Sequence, residues 1–186
     1  AGQIQGFFDI PLDNLFSAPV FVRDIQERFS NNLMMVSPDV GGVLRARAFA
    51  KRLDTDLAII DKRRERAGAS EVMNVIGDVE GCTAILYDDM IDTAGTICAA
   101  AEQLTQRGAS RVLAATTHGL FSGSAMDRLA ASSIEKVIVT DTLPLPEGTD
   151  PDLVEVLSVA PLIARAIGAV FSDTSVSEIF GGNNLA

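Results

Sequence analysis

Ten consecutive residues, Tyr87 to Thr96 (YDDMIDTAGT), carry three carboxylates, two threonines and one glycine. They follow the apolar run Ala84-Ile85-Leu86, which reads as a buried strand, and precede an alanine-rich stretch, which reads as a helix. Carboxylates at the end of a strand can face solvent without being buried unpaired. Thr93, Ala94, Gly95 and Thr96 then open the helix, where free backbone N–H groups, the positive helix end and two hydroxyls suit a phosphate. Asp88 and Asp89, ionised, are pure acceptors and match the two O–H donors of a vicinal diol. A sugar phosphate satisfies both halves of this stretch. A capped helix behind a solvated acidic turn is the plainer reading, and Asp92 alone would support no more than that.

Two other loops follow apolar strands. In VSPDVGGVLRARAFAKRL, Pro38 stiffens the exit from the strand, and Gly41-Gly42 lets backbone approach a ligand closely. Asp39 beside them is a natural Mg2+ ligand next to a polyphosphate. In IIDKRRERAGAS, Lys62, Arg63, Arg64 and Arg66 bring four cations into a chain with a net charge of -10, followed by small residues that could let the loop close. Such a loop can carry positive charge to developing negative charge. As a bare charge run it would be a solvated surface.

These loops need a frame. Helices are expected from about Ala18 to Phe29, after Gly41-Gly42 with Val43, Leu44, Ala48 and Leu53 turned inward, from Gly95 to Gln106, from Ser124 to Ala131 and from Pro161 to Phe171. Strands are expected at 33–36, 57–60, 72–76, 83–87, 112–116, 137–140 and 154–157, with a charged loop from Asp61 to Ser70 and a short final turn at Ser175–Phe180. Nearly all-apolar strands alternating with helices point to an α/β fold, a mainly parallel sheet with helices on both faces. Ligands of such sheets bind beyond the carboxyl ends of the strands, where the strand order reverses. At 186 residues and 47% hydrophobic, the chain fits one globular domain. The acidic balance argues against nucleic acid, and no apolar run reaches the ~20 residues of a membrane helix. Two cysteines and one histidine make neither a disulfide framework nor a zinc cluster, and a reducing cytoplasmic setting is the simplest expectation. No G-x-x-x-x-G-K-[ST] occurs, which disfavours an ordinary P-loop kinase.

DDMIDTAGT resembles the phosphoribosyl pyrophosphate motif of the type I phosphoribosyltransferases and the ribose-phosphate pyrophosphokinase family. SPDVGG resembles the pyrophosphate loop of the latter family, and DKRR followed by VMNVIGDV resembles its flexible catalytic loop. From QIQGFFDIP through THGLFSG to SVSEIF the chain resembles that family's C-terminal half. The resemblance implies a phosphoribosyltransferase-like fold with a short hairpin or flag after the catalytic loop. It implies ribose contacts from Asp88 and Asp89, a 5-phosphate site at Asp92, Thr93, Ala94, Gly95 and Thr96, and a pyrophosphate loop at Asp39, Val40, Gly41 and Gly42 with Mg2+ on Asp39. Lys62 and Arg64 match the catalytic pair, with Arg63 and Arg66 as supporting charge. His118, Arg45 and Arg47 are expected at packing, surface or subunit contacts. The implied reaction joins ATP and ribose 5-phosphate to phosphoribosyl pyrophosphate and AMP, for nucleotide biosynthesis, in a homo-oligomer of dimers within a hexamer. It further implies a homologous N-terminal half and a metal-binding histidine immediately before Ala1, so that this chain alone would turn over weakly or not at all. The rival readings are a type I phosphoribosyltransferase and a non-catalytic subunit associated with the synthetase.

Overall fold

The computed structural model describes residues 2–29, 32–63 and 72–181. Helices α1 (Ala18–Arg28), α2 (Val43–Leu53), α3 (Gly95–Gln106), α4 (Ala125–Ala130) and α5 (Ala160–Phe171) alternate with strands β1 (Leu33–Ser37), β2 (Asp56–Arg63), β3 (Val72–Ile76), β4 (Thr83–Ile91), β5 (Arg111–Gly119), β6 (Lys136–Thr140) and β7 (Val154–Leu157). The seven strands form one sheet in the order β3-β2-β1-β4-β5-β6-β7. All neighbours are parallel except β2 and β3, which form an antiparallel hairpin pairing Lys62 with Met73. The expected α/β class is present, whereas the hairpin expected after the cationic stretch is formed around it, with Lys62 on its first strand.

The near-continuous apolar strands are buried on both faces because side chains alternate with a period of two. Val36, Leu86, Ala114 and Val139 pack against Ile97, Ala101 and Leu104 of α3 and Leu129 of α4. Met35, Ile85, Tyr87 and Ile138 pack against Phe21 and Ile25 of α1 and Phe49 of α2. On that second face Phe49 and Tyr87 lie 4.4 Å apart between ring centroids, with Phe21 edge-on to Tyr87 at 5.9 Å. Pro19 in the first turn of α1 suits the helix start.

Several expectations are corrected. The inward face of α2 is Ala46, Phe49 and Ala50, and Leu44 is exposed. Strand β2 runs on through Asp61, Lys62 and Arg63, where a charged loop is expected from the sequence. Strands β4 and β5 each run past the end of their apolar runs, to Ile91 and Gly119.

The chain leaves β1 towards β2 on one side and leaves β4 towards β5 on the other. Because β1 and β4 are neighbours, their exit loops part in opposite directions and open a crevice at the carboxyl edge. Strand β1 pairs with β4 only as far as Val36 and Leu86, so the end of β4 is open on that side.

Candidate active site

At the end of β1, the Ser37 hydroxyl donates to the Asp39 carbonyl at 2.7 Å. The Asp39 carboxylate accepts the Gly42 N–H through Oδ1 at 2.8 Å, closing the turn that leads into α2. A side chain at Gly42 would place its Cβ 2.9 Å from Ser37 Oγ, so the buried Ser37 hydroxyl would have to shift. That hydrogen bond uses Asp39 Oδ1 and not Oδ2.

Past β4, Ala94 holds a left-handed conformation (φ 62) while its methyl is buried. A non-glycine residue there carries strain, of the sort found where a loop is shaped for a ligand. Ala94 turns the chain into α3, and Asp92, Thr93, Gly95 and Thr96 stay exposed. A cavity of about 200 Å3 is lined by Asp39, Asp88, Met90, Ile91 and the run from Asp92 to Ile97. Asp39 and Thr93, more than fifty positions apart in sequence, thus share one wall-to-wall space. The cavity combines a helix N-terminus, two threonine hydroxyls and three carboxylates.

Asp88 and Asp89 do not sit in a turn beyond the strand, as the sequence suggests. They are strand residues, so their side chains leave opposite faces of the sheet. Asp88 faces the phosphate-type cavity. Asp89 lines a second cavity, of about 350 Å3, with Asn14, Phe16, Tyr87, Thr117 and His118. Arg45, expected at the surface, bridges the two: Nη2 meets Asp88 Oδ1 at 3.0 Å and Nη1 meets Asp89 Oδ2 at 2.6 Å. Burial pushes the Asp88 carboxyl up to about 6. Asp89 beside it adds to the rise, while the Asp89 N–H and Arg45 oppose it. The hydrogen bond from that N–H to Asp88 Oδ1 measures 2.8 Å.

Lys62 lies on β2 three positions beyond Ile59, the partner of Ser37 at the end of β1. At roughly 3.3 Å per residue it stands about 10 Å above the rim, on a hairpin that rises past the crevice. It does not line the cavity. Arg64 and Arg66 lie outside the described residues. His118 is within β5 and hydrogen-bonds through Nδ1 to Thr142 Oγ1 at 2.8 Å, on the second cavity's side.

Two site residues were not legible as such. Arg45 falls in the first turn of α2, at the same sheet edge as the acidic stretch, and that shared edge was the available signal. Arg128 of α4 donates to the Thr93 carbonyl at 2.7 Å, a contact that nothing in the local sequence announces. As to a cation, no trio of His, Cys, Asp or Glu is grouped for a metal among the described residues. The donors at hand fit Mg2+ shared with a substrate polyphosphate, which takes one or two carboxylates plus phosphate oxygens, better than a cation caged by protein.

Comparison with known proteins gives a consistent result. Residues 66–181 match the model of the phosphoribosyl synthetase-associated domain. The chain is 57% identical over 182 residues to a ribose-phosphate pyrophosphokinase of Granulibacter bethesdensis, covering 97% of this chain and 59% of that protein. It is 52% identical over 181 residues to the ribose-phosphate pyrophosphokinase of Neisseria meningitidis, covering 97% of this chain and 55% of that one. Among solved structures, the phosphoribosylpyrophosphate synthetase of Mycobacterium smegmatis superposes with a TM-score of 0.83 at 43% identity, over 93% of this chain and 56% of that chain. The chain therefore spans a little over half the length of these relatives.

Proposed function

The chain belongs to the phosphoribosyl synthetase-associated domain family, and on that premise we propose that it supplies the ribose 5-phosphate and pyrophosphate sites of a ribose-phosphate pyrophosphokinase. The observation that carries this reading is the single cavity shared by Asp39, Asp88 and the run Asp92–Thr96. The backbone N–H groups at the start of α3 and the hydroxyls of Thr93 and Thr96 receive the 5-phosphate. Asp88, ionised, accepts hydrogen bonds from the ribose hydroxyls, and Asp89 and Arg45 orient it from the other face of β4. Held at both ends, the sugar presents its anomeric hydroxyl towards Asp39 and the Val40-Gly41-Gly42 turn, where the polyphosphate of ATP lies.

The anomeric oxygen bonds to the β-phosphorus, the bond from that phosphorus to the bridging oxygen of AMP breaks, and the hydroxyl proton is released. Such a transfer depends on in-line placement and charge neutralisation more than on covalent help. Magnesium held at Asp39 supplies neutralisation of the polyphosphate charge. Lys62, on β2, and Arg64, two positions further along the chain, add positive charge as the transfer proceeds. A cytoplasmic homo-oligomer is part of this reading, and no described helix is long and apolar enough to cross a membrane.

The test is binding and turnover measured separately on the 186-residue chain. Isothermal titration is expected to show ribose 5-phosphate binding in preference to ribose, with little or no AMP formed from ATP and ribose 5-phosphate. Absence of ribose 5-phosphate binding would overturn the site. Consumption of phosphoribosyl pyrophosphate with a free nucleobase would favour a phosphoribosyltransferase instead.

A further inference from the structure

A second loop grips the phosphate loop from outside. The Leu120 and Phe121 N–H groups both donate to the Ile91 carbonyl, at 3.0 and 3.2 Å. The Ser122 N–H donates to the Asp92 carbonyl at 3.0 Å. Arg128 Nη1 donates to the Thr93 carbonyl at 2.7 Å. Three consecutive carbonyls are therefore drawn towards one segment, Leu120 to Arg128. In a trans peptide the C=O of one residue and the N–H of the next point in opposite directions. Drawing in the carbonyls of Ile91, Asp92 and Thr93 thus turns the N–H groups of Asp92, Thr93 and Ala94 away from that segment. These residues line the cavity. Their N–H groups then add to those of the first turn of α3, so that the anion site is larger than a helix end alone.

The gripping segment is itself fixed. Phe121 is buried and left-handed (φ 52), and its ring lies so close over Gly119 that a Cβ there would come within 2.6 Å of it. Only Arg128 among the four donors is a side chain, so it alone can be removed without touching backbone.

We infer that Arg128 is a positioning residue for the phosphate cradle: by fixing the Thr93 carbonyl it aims the Ala94 N–H at the substrate's phosphate. The inference rests on the function proposed above and adds a role for α4, which contributes no residue to the cavity lining. Arg128→Met keeps the aliphatic stem and loses the donor, and Arg128→Lys keeps one donor. In the 186-residue chain, Arg128→Met is expected to weaken both ribose 5-phosphate and inorganic phosphate by roughly tenfold, the weight of one charge-assisted hydrogen bond. Arg128→Lys should recover part of that loss. The Ala94 amide resonance, shifted by inorganic phosphate in the parent, should respond less in Arg128→Met at unchanged helical content.

If the parent binds phosphate and Arg128→Met binds it equally well with the same Ala94 response, the positioning role is wrong and the proposed site stands. If the parent binds neither ligand, the site and the role fall together. Should Arg128→Met not fold, Arg128→Leu, which also lacks a donor, decides: parental affinity and parental Ala94 response to phosphate overturn the role, and a reduced response supports it.

Discussion

Asp88 has two opposing demands on its charge. Its carboxyl is raised from the ordinary 3.8 to about 6, first by burial and then by Asp89. Between those values the folded chain binds more protons at this site than the unfolded chain does. The site's own contribution to stability is therefore complete below the unfolded value and falls as pH rises through about 6. Accepting ribose hydroxyls requires the opposite, the ionised form. Affinity for ribose 5-phosphate is accordingly expected to drop as pH falls through about 6. The phosphate ester has its own ionisation near pH ~6, so the comparison that isolates Asp88 is with Asp88→Asn. That variant should bind more weakly at pH 8 and lose the part of the acid limb that inorganic phosphate does not share. An unchanged profile would remove Asp88 from the ribose contact.

At this same scale the sequence was informative where one residue type has few alternatives. Asp39 beside Gly41-Gly42, and Thr93 and Thr96 about Gly95, stand out in the sequence because their chemistry is local, and the structure brings Asp39, Thr93 and Thr96 to one cavity. Arg45 is exposed, as expected, but its ion pairs were not legible because Asp88 and Asp89 lie more than forty positions away, on β4. Arg128 was missed for the same reason.

Elements were legible wherever an apolar run coincided with a strand or a capped helix, as in α3, which spans Gly95–Gln106 as read. The misreadings share one cause. Strands β2, β4 and β5 all continue into polar residues at the carboxyl edge of the sheet. Apolarity marks the part of a strand that is covered by helices, and the ladder of hydrogen bonds outlasts that cover. Asp88 pairs with Thr116 after β1 has ended, so a carboxylate can occupy β4 while one flank remains open to a ligand. The extension also explains why adjacent aspartates serve two cavities instead of one. Leu44 was expected inward because a 3.6-residue period fits more than one phase over a short, alanine-rich helix.

The extended end of β5 carries a stability prediction. Gly119→Ala would bring a Cβ to 2.6 and 2.8 Å from the Phe121 ring and 3.2 Å from Val139 Cγ1. Overpacking of this kind costs about 1–3 kcal/mol, to be measured by denaturant unfolding at constant slope. The ring must shift, and with it the loop that holds the Ile91 and Asp92 carbonyls, so ribose 5-phosphate affinity should fall too. Parental stability for Gly119→Ala would show that the Phe121 contact is not confining.

Across the whole molecule, the order of strands makes the site. Reversal between β1 and β4 places the two loops on either side of one crevice, and the antiparallel hairpin β2–β3 rises at the flank. The mainly parallel sheet was inferred from alternation of elements, but strand order is not written in any local pattern. The rule that ligands sit where the order reverses supplied the missing step. Charge follows the same plan: in a chain of net charge -10, a run of four cations begins on β2 at Lys62. The relatives named above are longer than this chain, which spans a little over half of each.

The central claim is that ribose 5-phosphate occupies the cavity between the β1 and β4 exits. Backbone amide mapping of the isotopically labelled chain during titration with ribose 5-phosphate tests it most directly. The account predicts saturable shifts concentrated at Asp88, at Thr93 to Thr96 and at Gly41-Gly42. Shifts confined to Asn14, Phe16 and His118, around the cavity on the opposite face of β4, would contradict it.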